Sequence, residues 1–122
     1  MSNESEKLAH YYWKKGHDAE WEGNYEEAIL YFSKAIEITP NDALLYSWRS
    51  NSYWRTKRYS EAISDITIKT EVLKSPRHQD YCIRARCKYA ILDFEGAIND
   101  YSLAIELYKF ESVPHSPYEA KL

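Results

Sequence analysis

The stretch Tyr25-Glu26-Glu27-Ala28-Ile29, followed by Phe32, Ala35 and Ile36, decides the fold because it recurs. It returns as Tyr59-Ser60-Glu61-Ala62-Ile63 and again as Phe94-Glu95-Gly96-Ala97-Ile98, at spacings of 34 and 35 residues. Flanking residues keep the same step. Tyr12, Tyr46 and Tyr81 repeat upstream, and Ala35-Ile36-Glu37 matches Ala104-Ile105-Glu106 downstream. Self-similarity at a fixed period of this length marks a repeat array, in which each unit buries its apolar face only by stacking on a neighbour.

Inside each unit the apolar residues fall at steps of three and four. Ala28, Ile29, Phe32, Ala35 and Ile36 do so in the first unit, and Ala97, Ile98, Tyr101, Ala104 and Ile105 in the third, so the second half of each unit is an amphipathic helix. The preceding halves, about 6–22, 42–56 and 79–92, carry the same period and meet the second helices at turns around Gly23-Asn24, Lys57-Arg58 and Asp93. Pro40-Asn41-Asp42 ends the first unit, since proline stops a helix and Asn or Asp caps the next. Ser75-Pro76 is expected to do the same after the second. The expected architecture is all-α: a domain over residues 1–111 with repeats at about 9–42, 43–77 and 78–111, followed by 112–122 as a tail or the start of a capping helix.

This pattern resembles the tetratricopeptide repeat family over about residues 9–111. In the first unit Gly16, Gly23, Tyr25, Ala28, Phe32, Ala35 and Pro40 stand where the family's signature residues stand. The resemblance implies a right-handed α-solenoid of three antiparallel helix pairs and a role in protein–protein interaction, as an adaptor, scaffold or co-chaperone-like module. Units two and three depart from the pattern. Ser50 and Ala85 replace the close-contact glycine, Lys69 takes the place of a small residue, and one extra residue follows unit two, which leaves the path of its second helix open. The terminal capping helix is absent or truncated: Ser116-Pro117-Tyr118-Glu119 reads as a helix start that stops at Leu122. That reading favours the N-terminal domain of a longer protein; a chain ending there would instead leave a bare terminal face on which a homodimer could form.

Composition narrows the function. The formal net charge of −3 gives no basic field to gather phosphates, so nucleic acid is not an expected partner. The N-terminal stretch lacks the apolar core of a signal peptide and no segment is apolar enough to span a bilayer, so neither membrane insertion nor secretion is expected and the cytoplasm is the expected compartment. Ala120-Lys121-Leu122 resembles a peroxisomal address and offers a minor alternative. Cys82 and Cys87, five apart on one helix, point apart and are read as free thiols. No Gly-rich phosphate loop, Ser elbow, paired-acid motif or metal-ligand spacing occurs, so neither an enzyme nor a cofactor is expected.

In the resembled family the first helix of each pair lines a concave surface where an extended peptide lies. The residues placed there as peptide-binding candidates are Trp13, Lys14 and His17 from unit one, Trp48, Asn51, Trp54 and Arg55 from unit two, and Gln79, Ile83 and Arg86 from unit three. All four tryptophans, Trp21 included, fall on first helices, and Trp is a residue that anchors binding surfaces. A subset of the family holds acidic chaperone tails in a clamp of Lys, Asn and Arg. The five matching positions here are Trp13, His17, Trp48, Gln79 and Ile83, so the resemblance to that subset extends to the groove and not to the clamp.

Overall fold

The computed structural model describes residues 3–112. It contains the helices α1 (Asn3–Trp21), α2 (Tyr25–Ile38), α3 (Ala43–Arg55), α4 (Tyr59–Thr67), α5 (His78–Ala90) and α6 (Phe94–Ser112), and α4 runs on into a π-helical turn, Ile68–Val72. Each helix packs on the next, and the odd-numbered helices also touch, α1 with α3 and α3 with α5. The all-α row of three helix pairs is therefore as the repeat predicts. The expected capping helix and the C-terminal tripeptide lie outside the described residues.

The three turns inside the pairs share one hydrogen-bonding scheme. The N–H groups of Asn24, Arg58 and Asp93 donate to the carbonyls of Ala19, Tyr53 and Lys88, each at 2.8 Å. Those of Gly23, Lys57 and Leu92 donate to Glu20, Trp54 and Tyr89, each at 3.0 Å. This is the Schellman closure, which satisfies the last carbonyls of a helix and requires a left-handed residue at its centre. Gly23 supplies it at φ +83°, whereas Lys57 and Leu92 adopt φ +63° and +68° with side chains that resist it.

Packing inside the first pair depends on Gly16. A Cβ there would stand 2.6 Å from Cε1 of Phe32, a side chain with no exposed surface. Ser50 and Ala85 occupy the equivalent depth in the other pairs, both fully buried, where the opposing side chains leave room for a Cβ. Those pairs are joined by ion pairs that apolar periodicity does not reveal. Arg49 forks onto Asp65 at 2.8 and 2.7 Å, and Arg84 onto Asp100 at 2.7 and 2.8 Å, with Lys88 also 3.0 Å from Asp100. Asp65, Arg84 and Asp100 are almost wholly buried. The two-point hydrogen bond to Asp100 outweighs burial and holds the Arg84 guanidinium above its ordinary pKa.

Between units two and three the chain carries its extra residue. The helix widens there, with the N–H of Leu73 donating to Ile68 at 2.9 Å and that of Ser75 to Lys69 at 3.0 Å. Lys69, only 1% exposed, points inward and pairs with Asp80 of α5, which also accepts from Ser47 at 2.9 Å. One local expectation needs correction. Ser75 does not cap α5: the carboxylate of Asp80 accepts from the Arg77 N–H at 2.8 Å instead, because the widened turn places the helix start beyond Pro76. On the surface, Arg58 reaches the exposed carboxylates of Glu26 and Glu61 at 3.2 and 3.8 Å.

Candidate functional site

Six of the ten sequence-derived candidates fall into two groups. Along α1, His10, Trp13 and His17 share one side, at spacings of three and four, and α3 presents Trp48 to them. The Trp13 and Trp48 rings meet edge-on at 6.1 Å, His17 stacks on Trp13 at 5.4 Å and stands edge-on to Trp48 at 5.1 Å, and His10 lies 5.3 Å from Trp13. Phe32 supports Trp48 from the core side at 6.1 Å. Trp13 and Trp48 are half-buried and pack on the core clusters around Ala28, Phe32 and Tyr46, so they serve packing and surface together.

Beside this group opens a cleft of about 790 Å³ between the N-terminal half of α1, the loop 39–42 and the start of α3. Trp13 and Trp48 form part of its wall with Ala9, Leu44 and Leu45, and its charged residues are Glu6 and Asp42. Its size is in the range that accommodates a ligand or a few residues of a peptide. Nothing local in the sequence signals the cleft, because its far wall is a loop whose position depends on how the first two pairs stack.

The second group centres on Trp54. The guanidinium of Arg55 lies 5.0 Å from the Trp54 ring and that of Arg86, on α5, lies 5.5 Å from it, while Arg55 also approaches Tyr25 at 5.9 Å. Both arginines are exposed, and among the described residues neither is paired with a carboxylate. Stacking on the indole holds both cations near one place without neutralising them. Of the other candidates, Lys14 and Gln79 are exposed, and Asn51 and Ile83 are half-buried. Trp21 joins neither group. It closes α1 at 86% exposure.

Both thiols are free, as read from the sequence. Cys87 is fully buried, and burial pushes its pKa up to about 11, so it behaves as a small apolar core residue. At the outer end of the array His78 holds Glu111 through its ring and its backbone N–H, and this contact keeps the Glu111 carboxyl below its ordinary pKa.

Stacked helix pairs that present aromatic and charged side chains from their first helices define a protein-interaction repeat module. Residues 22–57 match the family described as TPR repeat. Human serine/threonine-protein phosphatase 5 is 36% identical over 84 residues, which is 69% of this chain and 17% of that protein. The solved first TPR of Spaghetti (RPAP3) bound to the HSP90 peptide SRMEEVD superposes with a TM-score of 0.79 at 26% identity, covering 94% of this chain and 86% of that one. The N-terminal domain of stress-induced protein-1 from C. elegans shares the fold, with a TM-score of 0.77 at 18% identity over 98% of this chain and 94% of that one. The chain belongs to the tetratricopeptide repeat family.

Proposed function

We propose that this module is a non-catalytic, cytoplasmic adaptor that holds an extended segment of a partner protein against α1, α3 and α5, gripping it through aromatic faces rather than a carboxylate clamp. The observation that carries this reading is the meeting of Trp13, His17 and Trp48 beside the cleft, three half-buried rings drawn from two helices. Rigid aromatic area at a concave site is what anchors binding. The bound HSP90 peptide in the first TPR of Spaghetti supports a peptide as the kind of ligand. The chemistry differs here. At the five positions that would hold a carboxylate, two indoles, an imidazole, Gln79 and Ile83 supply no fixed cation. Lys14, Asn51, Trp54, Arg55 and Arg86 extend the surface beyond the aromatic group.

A random-peptide display selection tests this. Retention of the selected peptides should fall at least about tenfold on Trp13→Ala/Trp48→Ala, as loss of two central anchors implies, with SRMEEVD poorly retained by the wild type. Unchanged retention on the double variant overturns the reading.

One observation favours a second reading, self-association through the last helix. Ile98, Tyr101, Ile105 and Tyr108 are 67%, 40%, 56% and 56% exposed and follow one another at steps of three, four and three along α6. That is the spacing of a coiled-coil seam. Sedimentation over a wide concentration range decides it: a dimer that Ile105→Lys abolishes supports the homodimer, and a monomer at every concentration removes it.

A further inference from the structure

The cleft beside Trp13 has a charge as well as a shape. Its charged lining residues are Glu6, one turn below His10 on α1, and Asp42 in the opposite loop, and among the described residues neither lysine nor arginine lines it. Asp42 spends one oxygen on the Leu44 N–H at 3.3 Å as the cap of α3, which fixes where its carboxylate stands. Both acids are exposed, and neither forms an ion pair among the described residues. Between them the wall is aliphatic and aromatic, with the Trp13 and Trp48 indoles meeting edge-on and His10 beside Trp13.

We infer that the cleft takes a basic side chain of the partner, an arginine or lysine flanked by aliphatic residues, and so selects a segment opposite in charge to an acidic tail at this point. The inference rests on the peptide-binding reading above and names the chemistry of its anchor. Two properties of the site converge on it. Two carboxylates on opposite sides complement it and penalise an acidic competitor. The long methylene stem of lysine or arginine covers apolar wall that a short polar residue leaves wet. An acidic side chain meets none of these, and a neutral aliphatic one meets only the last.

The test uses the whole chain, with the indole N–H resonances of its four tryptophans as reporters in a two-dimensional NMR titration. The probes are acetyl-Leu-Arg-Ile-amide and its counterparts with glutamate or norleucine at the centre. The arginine peptide should shift the Trp13 and Trp48 signals, leave that of Trp21 in place, and bind at least about fivefold more tightly than the glutamate peptide. In the Glu6→Gln/Asp42→Asn variant that preference should shrink to less than about twofold. The variant keeps its fold, because the Glu6 side chain is exposed and asparagine caps a helix as well as aspartate does; dispersion of its spectrum checks this. Equal or reversed preference, shifts confined to Trp54, or no shift with any of the three peptides overturns the inference. The display selection separates the two failures. Peptides that depend on Trp13 and Trp48 yet carry no basic residue preserve the adaptor reading and remove only the basic anchor.

Discussion

In the first helix pair Phe32 lies directly on Gly16, and the residues that correspond to the later ion pairs are Lys15, which is exposed, and Tyr31, which stacks on Tyr12 at 6.3 Å. In the third pair the same two positions are Arg84 and Asp100, locked together in the interior, with the Arg84 guanidinium 5.5 Å from the Tyr81 ring. One pair is closed by shape and the other by charge and direction. The difference teaches where each is vulnerable. Close packing fails when volume is added. A buried ion pair fails when one partner is removed and the other is left charged without water.

The sharpest way to break the third pair follows from this. Asp100→Ala leaves Lys88 without its carboxylate and Arg84 with only the exposed Glu71, 3.3 Å away, and should cost about 3–5 kcal/mol in urea denaturation. Asp65→Ala should cost less, because the Arg49 side chain is 18% exposed against 6% for Arg84 and regains more hydration. Replacing both partners, Arg84→Met with Asp100→Leu, should cost less than Asp100→Ala alone, and additive losses would show that the pair is not acting as a unit. The first pair should respond to the opposite manipulation. Gly16→Ala is expected to lose about 1–3 kcal/mol, and Phe32→Leu in the same chain should recover part of it by making room for the new methyl. A Gly16→Ala variant as stable as the wild type would mean that Phe32 moves aside freely and that shape does not hold this pair. The smallest effect concerns the turns. Lys57→Gly and Leu92→Gly relieve left-handed strain and should each raise stability by up to about 1 kcal/mol, while Gly23→Ala should lower it by a similar amount. Thermal melts of the three variants give the comparison directly.

Much of this was open to reading in the sequence, and what was not has a physical reason. The helix pairs and their turns were visible because the apolar period and the turn residues are local signals. Gly16 and Phe32 each stood out as signature positions of the resembled family, but that they face each other inside one pair came from the structure. The Arg–Asp pairs were missed, although their signal was present: Arg49 and Arg84 stand 35 apart, and so do Asp65 and Asp100. Search by apolar pattern passes over charged residues, which are expected at the surface unless paired. Lys69 stood out as misplaced, but its partner Asp80 belongs to another unit and could not be named without the stacking. At the candidate site the sequence put the tryptophans together as a class. The structure sorted them into Trp13 with Trp48, Trp54 with two arginines, and Trp21 by itself. Such sorting depends on the rotation between neighbouring pairs, which no single helix encodes.

The π-helical turn at Ile68–Val72 is, finally, a piece of joinery. Arrays of this kind behave like a ruler, and an added residue ought to shift every later mark. Here the widened turn takes up the slack, and Lys69, drawn inside to Asp80, pegs the joint on the far side. The third pair consequently repeats the closure of the second, Arg84 on Asp100 echoing Arg49 on Asp65, as though nothing had been inserted. Spacing along the chain and spacing in space have come apart at this joint, and a seam so pegged is where the array tolerates a change of length without losing count.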